Sequence, residues 1–248
     1  MGEPPTHLAP LAPPAPAHCP YATIMAAPTD RPFVVAQLGQ SLDGRIATPT
    51  GESRWINRQA ALTHVHQVRA TVDVVMVGIG TVAADDPILN VRHVTGRNPA
   101  RVVIDPSGRM SAKARCLLAD DGCRRLVIRA KGARGADKLP SGVEVIELSR
   151  VGTTLDPAAI IAALFERGLK TTLLEGGAWT VSSFIDAGVV DRLHVLVAPM
   201  ILGSGKTGLA LAPIQRLAEA RRPVTHVHVL ADGDVLFDCD LRTSRGDQ

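Results

Sequence analysis

Aromatic side chains are scarce in this sequence. One Tyr, four Phe and two Trp make up 3% of its 248 residues. A core with so few rings must be filled by Val, Leu, Ile and Ala, and that composition suits an α/β protein with buried strands. Cysteine is sparse too. Cys19, Cys116, Cys123 and Cys239 are scattered without a C-x-x-C pair. They indicate neither a zinc site nor a disulfide framework, and reduced thiols in the cytoplasm are the expectation. No apolar stretch reaches the roughly 18 residues of a membrane span. The formal net charge of +3 is too mild for a nucleic-acid partner, although a few placed arginines suffice for a small anion. An H-x-E followed by P-C-x-x-C is missing, which excludes the zinc-water chemistry of base deaminases, and no metal is expected.

Length favours one large domain or two small ones. The first stretch, "GEPPTHLAPLAPPAPAHCP", is rich in Pro and Ala without apolar periodicity. Residues 1–31 are therefore expected to form a disordered or polyproline-like tail. Residues 32–243 contain no repeat and no linker, so they read as one domain. The final "TSRGDQ" reads as a frayed end. Apolar runs predict strands at 33–38 and near 73–77, 101–105, 125–129, 143–147, 171–175, 191–198, 224–230 and 234–239. "NRQAALTHVHQVRA" predicts a helix capped by Asn57, with Leu62 and Val65 on its apolar face and His64 and His66 on its polar side. "DPAAIIAALFERG" has Asp at the cap, Pro157 at the first helical position and Gly168 at the stop. "AWTVSSFIDAG" predicts a short helix. The alternation implies a sheet that begins parallel and ends in an antiparallel pair.

Two stretches imitate phosphate loops. "GIGTVAADDP" (78–87) fits the glycine pattern of a dinucleotide-binding turn, and Asp105 lies near the spacing of a ribose-binding acid. Pro87, however, interrupts the long helix that such a turn requires. "GSGKT" (203–207) has Met200 where a P-loop needs its first glycine, so it reads as a Gly-rich surface turn. The helix 57–70 carries a separate clue. At 100° per residue Arg69 falls between Leu62 and Val65, on the apolar face. An inward guanidinium needs an anion, either a ligand or a structural partner such as Asp73 or Asp85.

The informative pattern is distributed over "SLDGRIA", "GESRWI", "RATVDVVMVGIGTVAADDPILNVR", "LLEGGAWTVSSFIDAGVVD" and "APMILG". In this order and spacing the set resembles the reductase domain of the bifunctional riboflavin-biosynthesis deaminase-reductases and their stand-alone pyrimidine reductase relatives. The resemblance covers residues 32–240. It implies a dihydrofolate-reductase-like α/β fold: a mixed, mostly parallel sheet flanked by helices. It also implies NADPH-dependent reduction of a phosphoribosylamino-pyrimidine to its ribitylamino form, and a homodimer.

By the same resemblance, Gly39, Trp55, Thr81, Asp85, Gly176, Gly177, Ala178, Trp179, Thr180 and Val181 are expected to bind the cofactor. Ser53, Arg69, Leu89, Arg92 and Glu175 are expected to bind substrate, with Arg69, Arg92 and Ser53 at its phosphate. Ser107 and Arg109 are candidates for the cofactor's 2′-phosphate, with Lys131 or Arg134 as rivals. Trp55 has the alternative of a core position. One departure stands out: Gln37 occupies the place of a common family Lys, and an amide cannot deliver a proton as an ammonium does. The expected mechanism is opening of the ribosylamine to an imine and hydride delivery to ribose C1′, the protein orienting both partners and excluding water. No catalytic residue is assigned. His64, His66, His194, His226 and His228 read as structural. Two other readings stay open: a reductase of another pterin or heterocycle, and a nucleotide-binding module without turnover.

Overall fold

The computed structural model describes residues 19–133, 135 and 138–242. The chain runs α1 (Ala22–Met25), β1 (Phe33–Ser41), β2 (Arg45–Ala47), α2 (Gln59–Thr71), β3 (Val74–Gly78), α3 (Ile79–Asp85), β4 (Ala100–Ile104) and α4 (Arg115–Leu118). It continues with β5 (Arg125–Ala130), β6 (Val143–Leu148), β7 (Arg150–Val151), β8 (Thr154–Leu155), α5 (Pro157–Phe165), β9 (Thr171–Glu175) and α6 (Ala178–Asp186). The last elements are β10 (Arg192–Ala198), β11 (Lys206–Thr207), β12 (Val224–Val229) and β13 (Val235–Asp240). Nine strands form one sheet in the order β12-β13-β10-β1-β9-β3-β4-β5-β6. Neighbours from β10 through β6 are parallel, and β13 runs antiparallel to both β10 and β12. This is the mixed sheet the apolar runs imply. The strand windows agree within a residue, except that β1 runs three residues further.

Both faces of the sheet are covered, which is why its strands read as unbroken apolar runs rather than alternating ones. Val34, Ala36, Met76, Ile104 and Ile128 pack on one side against Ile160 and Leu164 of α5 and Val181 and Phe184 of α6. On the other side Phe33, Val35 and Leu173 meet Val68 and Val72 of α2 and Ile24 of α1. Val75, Val77 and Val103 pack with Ile79, Met110 and Leu117. Among the described residues no helix is long and apolar enough to cross a membrane.

Three expectations need correction. Residues 19–31 are not a free tail: α1 buries Ile24, and the Tyr21 hydroxyl lies 2.7 Å from His64 Nδ1. Ile24 and Tyr21 are the only large apolar anchors of that stretch, too few to give a periodic signal. Residues 1–18 and the "TSRGDQ" end lie outside the described residues.

Asn57 does not cap α2. Its amide donates to Leu196 O and Asp234 Oδ2. The first amides of the helix are satisfied from the β12–β13 turn instead, where Asp234 accepts from Arg58 N and Asp232 from Ala60 N. The polar side of α2 is also not a solvent face. His64 and His66 are buried, while Leu62 and Val65 are only half-buried and border a large cavity. His64 meets a polar row across the sheet, where register aligns Glu175, Gln37, His194 and Asp238 on β9, β1, β10 and β13, and His66 meets Arg92 N and His93. His64 Nε2 lies 3.1 Å from His194 Nδ1, and His194 Nε2 lies 3.2 Å from Asp238.

Burial, and then His194, push the His64 pKa from 6.5 down to about 3; burial, then Arg69, does the same for His66. Both rings are therefore neutral when folded and protonate on unfolding below pH 6.5. Their contribution to stability is intact above pH 6.5 and is lost as pH falls from there toward 3, at about 1.4 kcal/mol per pH unit for each proton taken up. Urea midpoints at pH 7.5, 6 and 5 should fall in that order. The slope should be shallower in His64→Asn, and equal slopes in the two proteins would contradict the assignment.

Candidate functional site

The parallel strands end at a cavity of about 1380 Å³. Its floor is built where β1, β3 and β9 stop: Gln37 and Gly39, Gly78, and Glu175 with Gly176 and Gly177. Two strand-to-helix turns lie side by side there, β3 into α3 and β9 into α6. Each turn offers a glycine to a threonine of the other. A Cβ on Gly78 would come within 2.7 Å of Thr180 Oγ1, and one on Gly176 within 2.9 Å of Thr81 Oγ1. Gly176 also has φ +133°, which glycine alone adopts without strain. Thr81 Oγ1 accepts from Gly177 N at 3.3 Å, tying the turns together. Gly177, at the N-cap of α6, provides no side-chain cap, and an uncapped helix N-terminus suits an anion.

Beside these glycines the lining is charged. Arg69 donates from Nε and Nη2 to the two carboxylate oxygens of Glu175, at 2.6 and 2.7 Å. From sequence the anion expected for Arg69 was either a ligand or a structural partner such as Asp73 or Asp85. Asp73 instead binds Arg97 and the amides of Lys170 and Thr171, whereas Asp85 borders the cavity. Glu175 reaches Arg69 because β9 lies beside β3 in the sheet, a pairing that spacing along the chain does not reveal. Burial works against the Arg69 charge, but the Glu175 carboxylate outweighs it and holds the pKa above its ordinary value. Arg69 Nη1 also donates to Asn90 O at 2.9 Å. Arg92, Leu89 and Ser53 also line the cavity, and Arg92 lies close enough to Arg69 and Glu175 to feel both charges. Burial, then the like charge of Arg69, pull the Arg92 pKa down, so this region welcomes an anion. Next to Glu175 in the sheet sits Gln37, 7% exposed, whose Oε1 has no hydrogen-bond partner among the described residues.

Among the described residues three other than glycine have positive φ: Trp55 (73°), Asp86 (40°) and Leu89 (60°). All three border the cavity, where such strain tends to concentrate. The two tryptophans of the chain are both rim residues, Trp55 at 78% and Trp179 at 63% exposure. A core role for Trp55 is thereby excluded. Asp85, Ser107 and Arg109 are on the lining as well.

Some sequence-derived positions are not. Val181 is fully buried, on the α6 face that packs with Phe184 and Ile185 against the strands; Ala178 does not border the cavity either. Only their backbones, at the start of α6, are near a ligand path. Lys131 is off the lining, and Arg134 lies outside the described residues. Asp105 is not a ribose acid: it is wholly buried, and its carboxylate accepts from Arg109 N and Met110 N. The "GSGKT" stretch forms the β2–β11 ribbon, and Gly205 is needed there because a Cβ would overlap Ala47 O. Sequence reasoning missed Arg54, Arg115 and Lys206, three further cations on the lining. Arg115 opens the short helix α4, and Arg54 and Lys206 lie in the quoted stretches "GESRWI" and "GSGKT", whose pattern did not assign a role to the cation.

The sheet order, with its parallel run closed by an antiparallel pair and a cleft at the strand ends, defines a dihydrofolate-reductase-like fold. The chain belongs to the RibD C-terminal domain family, whose profile matches residues 32–234. It is 31% identical over 216 residues to the riboflavin biosynthesis protein RibD of Actinobacillus pleuropneumoniae, covering 85% of this chain and 57% of that protein. It is 36% identical over 177 residues to the 2,5-diamino-6-ribosylamino-4(3H)-pyrimidinone 5′-phosphate reductase of Methanothermobacter thermautotrophicus, covering 70% and 80%. Among solved structures it is similar to the diaminohydroxyphosphoribosylaminopyrimidine deaminase/5-amino-6-(5-phosphoribosylamino)uracil reductase of Thermotoga maritima. That match has a TM-score of 0.72 at 29% identity, over 89% of this chain and 58% of the other. The chain spans about half the length of the RibD relatives it matches.

Proposed function

We propose that the chain is an NADPH-dependent reductase that converts a phosphoribosylamino-pyrimidine to the ribitylamino-pyrimidine phosphate, the step its relatives' names describe in riboflavin biosynthesis. The observation that carries this reading is the cavity. At about 1380 Å³ it exceeds the roughly 300–1,000 Å³ of a single small-ligand site, and its lining combines glycine turns with several cations. The glycine turns and open α6 N-terminus fit a pyrophosphate, and the exposed faces of Trp55 and Trp179 fit flat rings. Arg92 and Ser53, next to the Arg69–Glu175 pair, fit a sugar phosphate.

When bound, NADPH supplies the hydride. The residues of this chain then have three tasks. Gly176, Gly177 and Thr81 shape the bed against which the dinucleotide lies. Glu175, held rigid by Arg69, and the free Gln37 Oε1 accept hydrogen bonds from the opened sugar chain and orient its C1′. Arg92 anchors the far phosphate, and filling the cleft with both ligands excludes water.

Incubation with 5-amino-6-(5-phosphoribosylamino)uracil should consume NADPH in proportion to product. Gln37, neutral where a cation is common, favours a second reading in which another pterin or heterocycle is reduced. Turnover of such a compound alongside inertness toward the phosphoribosylamino-pyrimidine would favour it, and cofactor binding without any turnover would point to a binding module.

NADPH should bind at least roughly tenfold more tightly than NADH. Ser107 and Arg109 on the lining are the groups for the 2′-phosphate, and one or two charge-assisted hydrogen bonds contribute about 1.5–3 kcal/mol each. Arg109→Ala should erase most of that preference while leaving NADH affinity unchanged. Equal affinities for the two cofactors in wild type, titrated at matched salt, would contradict the assignment.

The assembly is proposed to be a homodimer. β10 lies inside the sheet between β1 and β13 and offers no free edge. The edge strands are β12 and β6, and β12 is the one proposed to pair, because Val224, Val227 and Val229 are exposed on it. Light scattering should give twice the chain mass at micromolar concentration, and Val227→Lys should give monomer. A monomeric wild type would remove the proposal.

A further inference from the structure

The segment between α3 and β4 carries Arg92 but has no regular secondary structure around it. Something must nevertheless fix the backbone from which Arg92 reaches a ligand. Its hydrogen bonds identify three anchors. Asn98 Oδ1 accepts from Val91 N at 2.7 Å, within the segment itself. The other two come from one strip of α2. Arg69 donates to Asn90 O, and His66 Nδ1 accepts from Arg92 N at 3.1 Å. Residues three apart on a helix are neighbours on its surface, so these side chains grip the loop on both sides of Val91. His66 is 2% exposed and does not border the cavity. The ring of His93 meets it edge-on, with centroids 4.5 Å apart. A buried imidazole whose ring nitrogen accepts from the very residue presenting the cation is more than core filling.

We propose that His66 is a positioning residue for substrate: through Nδ1 it fixes the backbone of Arg92, and so the place from which the guanidinium meets the substrate phosphate. This rests on the reading of Arg92 as the phosphate ligand. A residue that only supported the fold would affect all ligands alike, whereas a positioning residue for Arg92 affects the phosphorylated substrate alone.

The test uses His66→Leu, His66→Asn and His66→Gln in the full chain. The Asn amide stands near the Nδ1 position and the Gln amide near Nε2, so Asn alone restores the acceptor. Steady-state constants are measured for the phosphorylated substrate and its dephosphorylated analogue, with NADPH affinity and melting temperature alongside. In His66→Leu the KM of the phosphorylated substrate should rise about fivefold, as for loss of one neutral hydrogen bond of ~1 kcal/mol. Its kcat, the analogue's constants and NADPH affinity should stay within twofold. His66→Asn should restore KM and His66→Gln should not; this pair decides the matter if His66→Leu does not fold. In an Arg92→Met background, His66→Leu should add nothing. Equal losses on both substrates, identical behaviour of Asn and Gln, or full additivity with Arg92→Met would overturn the proposal. If Arg92→Met itself fails to discriminate between the substrates, the phosphate reading falls and takes the proposal with it. If Arg92→Met discriminates and His66→Leu does not, only the positioning role is lost.

Discussion

Replacing Glu175 with Leu is expected to lower the unfolding free energy by about 3–5 kcal/mol, the largest loss of any single change in the cavity. The cost comes from the partner left behind. The Arg69 side chain is only 9% exposed, and two of its nitrogens are spent on the carboxylate. Without Glu175 a buried guanidinium keeps one carbonyl acceptor, Asn90 O, and no counter-charge. Glu175→Gln keeps an acceptor oxygen and should lose less. The double variant Arg69→Met/Glu175→Leu removes both charges and should regain part of the stability, because the buried charge itself is gone. It should regain none of the activity, since Glu175 also lines the cavity proposed to take substrate. Urea unfolding of the two single variants and the double variant measures this. A double variant as unstable as the sum of the singles would show that the pair is not coupled.

Arg92→Met is expected to raise KM for the phosphorylated substrate roughly 10- to 100-fold, corresponding to about 1.5–3 kcal/mol for a charge-assisted contact. Arg92 is solvent-exposed without ligand, and its one side-chain hydrogen bond goes to Asn90 Oδ1 at 3.1 Å. The variant should therefore fold normally. Methionine keeps the aliphatic stem and removes the donors. NADPH affinity should be unchanged, and the dephosphorylated analogue should lose little, because it never used the contact. Comparing kcat/KM for the two substrates separates the outcomes. An equal fall for both would mean that Arg92 holds its loop or serves the cofactor.

How far the sequence speaks for itself differs by element. The strands were legible because both faces of the sheet are covered, so runs such as Val74–Gly78 and Thr171–Glu175 leave an unbroken apolar signature. The α5 cap was legible because it is local: Asp156 accepts from Ala158 N, and Pro157 sits beside it. Non-local satisfaction left no such mark. α2 is capped from Asp232 and Asp234, more than 170 residues away, so Asn57 looked like its cap. The same helix buries His64 because strand register lines up His194 and Asp238 beneath it, and His66 because the loop at Arg92 and His93 covers it; a helical wheel contains neither. Arg69 was rightly read as facing inward, but its partner depended on β9 lying next to β3. The site residues came from the ordered set of motifs rather than from any one loop. Where a helix turned its next residue inward, as at Val181, the motif overreached.

The central claim is that hydride passes from the nicotinamide to C1′ of the ribose in this cleft. NADPH deuterated at C4 tests it most directly, using each C4 epimer in turn with 5-amino-6-(5-phosphoribosylamino)uracil and reading the product by mass spectrometry and NMR. One epimer should transfer its label, giving a ribitylamino product one mass unit heavier with deuterium on C1′ alone. Label in the pyrimidine ring, or an unlabelled product with both epimers, would contradict the account.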